Sequence, residues 1–300
     1  MKIDIEFNSG AQLPMDAIPE LAKLAEEHGF DCAWGGEANN KDPTVMLSAI
    51  AAVTARLKIG SAIYHMLGRT PATLALQAVG LDELSSGRFL LGIGSSNPTI
   101  AKWHGQTFDR PLGRVEEYVE IVQAAMRGEK LNFNGKYFTA QNFKMAFRPS
   151  GRKIPIYLAA FGSKMTRLAG RISDGVLINM ANPIEIRRIA EEARRGAEEA
   201  GKDPSALEII CKIRSLHCRQ LREGPRGVES CAYLLCSCGL LQRPFDPHGF
   251  CRGSRKYARS LEVGWVSCSA EVDHRSAFQR IACGCGHFSR RSRCTNQTLP

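Results

Sequence analysis

The sequence predicts an α/β fold: a (β/α)8 TIM barrel with an inserted β-hairpin and an incomplete C-terminus. Three observations carry that prediction. Seven short apolar segments alternate with helical ones over residues 1–213, at the spacing of roughly 30 residues per unit typical of such barrels. Short apolar strands separated by helices imply a parallel sheet covered on both faces. One Asn-Gly pair lies between alternating apolar residues, the strongest short hairpin signal. A doubly wound open sheet is the competing architecture.

The elements follow in order. Residues 1–8 alternate as a strand. Residues 16–28 form a helix, with Ile18, Leu21, Ala22 and Ala25 on one face and Gly29 as its C-cap. Residues 30–37 are a second strand, 43–55 a helix, and 57–64 a third strand. Residues 70–87 are a helix with Pro71 in the first turn, and 88–96 a fourth strand that is glycine-rich at its end. Residues 112–127 form a strong helix, with Val115, Tyr118, Val119, Val122 and Met126 at helical spacing. Residues 131–140 make the hairpin around Asn134-Gly135. Then follow a strand (153–160), a helix (163–172), a strand (174–180), a long helix (183–200) and a strand (207–213). An eighth strand is needed beyond residue 213, and the tail offers no clear one.

Composition divides the chain at the same place. Hydrophobic content of 44% in 300 residues is that of a soluble globular protein. No run approaches 18 apolar residues, so no membrane span is expected. The chain opens directly on a strand with no signal-peptide core, which makes the cytoplasm the expected location. The net charge of +10 resides mostly in the tail: residues 1–213 carry 26 Lys+Arg against 24 Asp+Glu, and residues 214–300 carry 14 against 6. Two cysteines, Cys32 and Cys211, fall in the first region and nine in the second. A cysteine-poor head and a cysteine-rich tail do not suit one redox compartment.

Three readings of 214–300 compete. A zinc or disulfide module would use Cys236, Cys238, Cys283, Cys285, His248 and His287, but these spacings fit no standard site, and no metal is expected. A basic arm for nucleic acid sits poorly with the scattered Leu, Phe, Trp and Cys. The third reading is a reading-frame shift near residue 214. Permitted codons for residues 234–253, read one nucleotide later, allow a helix-like, aromatic-containing stretch ending Met-Gly-Phe-Ala-Glu-Glu. Abundant Arg, Cys, Ser and Gly with a single lysine, Lys256, is what an out-of-frame GC-rich gene gives. The third reading is favoured, with residues 1–213 as the barrel, and no nucleic-acid partner is expected.

A barrel builds its active site from the loops after its strands. Those loops are polar and small: Trp34 to Asn40 after strand two, Ser61 to His65 and Gly68 to Pro71 after strand three, Gly92 to Pro98 after strand four, Ala159 to Lys164 after strand five. Gly162-Ser163-Lys164 opens a helix and suits an anion or a plain helix cap. Gly92-Ile93-Gly94-Ser95-Ser96 lacks the third glycine of a dinucleotide fingerprint. It reads as a close-approach loop for a flat ligand or as a tight turn. His65 and His104 are histidines suited to acid–base work or to structure, and Glu37 ends a strand in the barrel mouth. No Ser-His-Asp order, Walker loop or carboxylate pair stands out, which points to a cofactor carrying the reactivity.

Residues 69–96, 103–129, 134–138 and 153–179 together resemble the luciferase-like monooxygenase superfamily. Within it they are most similar to coenzyme F420-dependent oxidoreductases of the methylenetetrahydromethanopterin reductase kind. The resemblance spans residues 1–213. It implies hydride transfer between an organic substrate and C5 of the deazaflavin, a small-molecule substrate and a homodimer. It places Glu37 near the cofactor ring, although Ala38 stands where many members carry histidine. It implies a non-prolyl cis peptide at Ala62–Ile63 behind the ring. Gly94, Ser95, Ser96 and Asn97 fall in the loop near ring and substrate, and Gly162 and Ser163 in the loop that holds the cofactor phosphate. Glu37, His65 and Asn97 are the candidate catalytic residues. FMN is the alternative cofactor, with an FMN-dependent monooxygenase or an inactive truncated barrel as the alternative functions. Arg69 and His104 fall in Arg-Thr-Pro and Trp-His-Gly motifs and are weighed as structural more than catalytic.

Overall fold

The computed structural model describes residues 2–7, 13–39, 41–216 and 262–267, with the backbone alone for 213–216 and 262–267. The elements are β1 (Lys2–Glu6), α1 (Ile18–Glu27), β2 (Cys32–Gly35), α2 (Pro43–Val53), β3 (Lys58–Ser61), β4 (Tyr64–His65), α3 (Pro71–Leu84) and β5 (Phe89–Gly94). They continue through α4 (Pro98–Trp103), α5 (Pro111–Met126), β6 (Leu131–Asn134), β7 (Thr139–Phe143), β8 (Ile156–Ala159) and α6 (Ser163–Ile172). The last are β9 (Gly175–Asn179), α7 (Pro183–Glu199), β10 (Glu208–Leu216) and β11 (Glu262–Ser267).

Several helices start by one local device. Asp42, Thr70, Asn97 and Asn182 each precede a proline, and each side chain accepts a backbone N–H of the first turn. The cap satisfies a donor that the helix leaves orphaned, while proline at the first position forgoes one that had no partner anyway. This cap–proline pair recurs after β2, after β4, after β5 and after β9, so each turn from strand to helix is fixed locally.

Strands β1, β2, β3, β5, β8, β9 and β10 pair in that order, every pair parallel. Neighbours in the sheet are neighbours in the chain, as in a barrel; the doubly wound alternative would reverse direction at a switch point. The eighth place differs from the regular pattern. Glu262–Ser267 lies between β10 and β1 and runs antiparallel to both. A strand of that direction stands outside the β/α repeat, so the repeat gave no pointer to it. The barrel is incomplete as a parallel β/α structure: its eighth position holds an antiparallel strand. β10 also runs to Leu216, three residues past the predicted end.

Alternation along the strands sorts two cores. On β5, Phe89, Leu91 and Ile93 join the large cluster against the helices, while Leu90 joins a smaller cluster with Cys32, Trp34, Tyr157, Leu177 and Ile210 inside the barrel. Trp34 fits there because residue 60 is glycine: a Cβ at Gly60 would lie 2.4 Å from the indole. The hairpin β6–β7 forms as predicted, but its turn is wider than an Asn-Gly turn. Asn134 pairs with Thr139, and the Glu117 carboxylate accepts the backbone N–H groups of Lys136, Tyr137 and Phe138 at 2.8, 2.8 and 3.0 Å.

Candidate active site

A cavity of about 740 Å³ opens at the C-terminal ends of the strands, where parallel barrels carry their sites. Its first wall is the break between β3 and β4. The Ala62–Ile63 peptide is cis, at the position the resemblance implies. Ala62 donates its N–H to Gly35 O at 2.7 Å, and Ile63 O accepts from Glu37 N at 3.1 Å. Two glycines let the backbone close on this wall. A Cβ at Gly36 would lie 2.8 Å from Ala62 O, and one at Gly94 would lie 2.3 Å from Ile63 Cδ1.

Glu37 lines the cavity with its carboxylate held on both oxygens. Oε2 accepts the His65 backbone N–H at 3.1 Å, and Oε1 accepts from Arg69 Nη1. Arg69 also donates to Asp42 at 3.0 Å, and its guanidinium lies 4.5 Å from the Tyr64 ring centroid. Glu37 is thus a fixed negative charge, and Arg69 is the residue that fixes it. His65 lines the same wall and is 1% exposed, yet neither ring nitrogen has a hydrogen-bond partner. Its Nε2 lies 3.7 Å from Glu37 Oε2, beyond hydrogen-bond length. Burial lowers its pKa; Glu37 raises it, and His104 and Arg69 lower it. The net direction keeps the imidazole neutral at neutral pH, able to donate and to accept.

Gly94, Ser95, Ser96 and Asn97 form the adjoining rim. Ser96 sits at a φ of 71°, and its buried hydroxyl has no partner. Asn97 commits its Oδ1 to capping α4, accepting from Thr99 N and Ile100 N at 2.9 and 3.0 Å. Opposite them, Gly162 lines the cavity and Ser163 stands just outside it, in the first turn of α6. A Cβ at Gly162 would meet nothing within 4 Å, and α6 has no side-chain cap. The Ser163 hydroxyl accepts from Arg188 Nη1 at 3.2 Å, and Arg188 Nη2 donates to Phe161 O at 3.0 Å. A guanidinium beside an uncapped helix N-terminus suits an anion.

Sequence reasoning missed the other charged pair. Glu6 and Lys212 both line the cavity and pair at 2.6 Å, with side chains 5% and 15% exposed. They lie 206 residues apart. A signal did exist in β1: Lys2, Asp4 and Glu6 alternate with Ile3 and Ile5, so the charged set had to face the barrel interior. Asp4 there accepts from Trp34 Nε1 at 2.9 Å. Burial pushes its carboxyl up to about 7, against the opposing pull of the indole N–H; nearby Asp31 adds to the rise. Among the described residues, no three His, Cys, Asp or Glu side chains are placed to hold a metal, and no helix is long and apolar enough to cross a membrane.

A curled, mostly parallel barrel with a ligand-sized cavity at its C-terminal mouth defines an α/β-barrel protein whose site is built from strand-end loops. The family model for luciferase-like monooxygenases matches residues 4–223. The chain belongs to that family. It is 34% identical over 197 residues to a 5,10-methylenetetrahydromethanopterin reductase of Methanolobus tindarius, covering 65% of this chain and 60% of that protein. It is 33% identical over 211 residues to the reductase of the same name from Archaeoglobus fulgidus, covering 70% and 62%. The solved coenzyme F420-dependent tetrahydromethanopterin reductase from Methanopyrus kandleri superposes with a TM-score of 0.64 at 26% identity, covering 70% of this chain and 65% of that one. The chain thus spans somewhat under two thirds of the length of these relatives.

Proposed function

We propose that this chain is an F420-dependent oxidoreductase that transfers a hydride between the deazaflavin and an organic substrate, as a cytoplasmic homodimer. The observation that carries the reading is the cavity itself. The backbone bulge at Ala62–Ile63, the Gly94–Asn97 loop and the start of α6 meet around one space, within the 300–1,000 Å³ range of cofactor sites. Similarity to the coenzyme F420-dependent reductase from Methanopyrus kandleri supports the cofactor class.

The residues present suit the cofactor. Gly36 and Gly94 keep side chains off the wall, so Ile63 and backbone would be the groups that receive a flat ring. Gly162, Ser163 and Arg188 would hold the phosphate through free N–H groups, a hydroxyl and a guanidinium. Coenzyme F420 would supply hydride exchange at C5. The protein supplies orientation and proton handling: Glu37, pinned by Arg69, sets a fixed charge, and His65 carries a proton on one nitrogen while leaving the other open. Asn97 and Ser96 present polar groups from the facing rim.

Titration of the purified chain with F420 tests this. Quenching of F420 fluorescence with a saturable, one-site isotherm is the expected result, with weaker binding in Gly162→Val and in Arg188→Ala. The oxidation of added F420H2 by 5,10-methylenetetrahydromethanopterin then probes turnover. Binding of FMN in place of F420 would redirect the cofactor assignment.

A further inference from the structure

His65 is the one candidate catalytic residue of the cavity wall whose polar side-chain atoms are both buried and unpartnered, and a second histidine lies against it. The His104 ring centroid stands 4.6 Å from that of His65, with the planes 64° apart. His104 closes the C-terminal end of α4 and is exposed, whereas His65 is 1% exposed and lines the cavity. The two rings thus join the cavity to the outside across one layer of side chain. Gly68 makes room for this: a Cβ there would lie 2.7 Å from His65 Cε1.

We propose that His65 and His104 form a proton path between the cavity and bulk solvent. The inference rests on the hydride-transfer reading above, because a hydride carries two electrons and one hydrogen, and the second hydrogen must move as a proton. That proton binds the open nitrogen of neutral His65. The proton on the opposite nitrogen passes to His104, by a small ring rotation or through one water, and from His104 to solvent. The reverse order delivers a proton, and no electrons move in either direction. The groups that face His65 fit the task. Glu37, 3.7 Å from Nε2, stabilises the imidazolium while it exists; His104 and Arg69 oppose a lasting positive charge. The ring therefore passes the proton on.

The test uses the full chain and two readouts. In the first, ring-¹⁵N-labelled histidine is followed by NMR without cofactor. The exchange of the His65 ring proton with water should slow by about tenfold or more in His104→Phe, and in His104→Ala should recover on adding imidazole. In the second, His104→Ala should slow F420H2 oxidation by a similar factor, with a larger solvent isotope effect, imidazole rescue and unchanged F420 affinity. Exchange and turnover at the wild-type rate in His104→Phe would overturn the path. So would a loss in His104→Ala that imidazole leaves untouched, which is the mark of a merely structural role. Failure of the wild-type chain to bind F420 would instead remove the proposed function, and the exchange measurement would still decide the path.

Discussion

Asp4 inside the barrel and the Arg69–Glu37 pair at its mouth make separate demands on stability. Asp4 has its folded pKa raised to about 7 by burial, against an unfolded value near 3.9. The folded state therefore binds more protons between those values, so stability falls as pH rises through that window and the cost is complete above about 7. Asp4→Asn keeps an oxygen for Trp34 Nε1 and removes the charge. At pH 8 it should raise stability by roughly 2–4 kcal/mol, with little change at pH 4; urea melts at both values check this, and an equal effect at the two would refute it. The Arg69–Glu37 pair behaves differently. Its side chains are 8% and 12% exposed, and removing one partner leaves the other uncompensated. Arg69→Met should cost roughly 3 kcal/mol, and the Arg69→Met/Glu37→Gln double variant appreciably less. Both cases show what sequence gives at this scale. Glu37 was legible because it ends a strand at the mouth, whereas the alternation of charge with isoleucine around Asp4 and Glu6 was a signal left unread. The partnership of Glu6 with Lys212 was hidden, because only the closed ring brings β1 and β10 close enough for it.

At the scale of elements, the apolar periods, with Pro71 in one first turn, were enough to place the seven parallel strands and the main helices. Helix α4 escaped because its six residues span less than two turns and carry little periodicity. The hairpin shows how a correct element can hide an unexpected turn. Asn134-Gly135 announces a reversal, yet the turn is held from outside by Glu117 on α5. Burial would raise the Glu117 pKa, but the N–H groups of Tyr137, Lys136 and Phe138 outweigh it and hold it below the usual carboxylate range. A depressed carboxylate contributes stability above its unfolded pKa and loses it as pH falls through the folded value. Glu117→Gln should therefore destabilise the chain at pH 7 by about 1 kcal/mol or less, because solvent screens this partly exposed carboxylate, and that difference should shrink in acid. Amide exchange at Lys136–Phe138 should quicken in the variant at neutral pH; unchanged protection there would show that the strands alone hold the turn.

The whole molecule is where local rules run out. Composition, charge and cysteine content all change near residue 214, while the pattern that defines the barrel ends with β10. The shared region covers 60% and 62% of the two reductase relatives. We propose that the coding sequence carries a frame shift close to codon 214. The eighth place of the ring then falls to Glu262–Ser267, an antiparallel strand between two strands that run parallel to their other neighbours. A parallel eighth strand would bring its own helix to cover the outer faces of β10 and β1. Among the described residues no helix accompanies this six-residue strand, and an apolar sheet face without a helix over it promotes association with other chains. The chain as written should therefore express with low solubility, bind a hydrophobic dye and melt without a single cooperative step. Restoring the frame by one nucleotide at codon 214 should yield a soluble chain with a cooperative melt and tighter F420 binding. Sequencing that stretch of the gene is the direct check. A chain that is soluble as written, melts in one step and binds F420 as tightly as the frame-restored one would show that residues 214–300 complete the barrel in their own way.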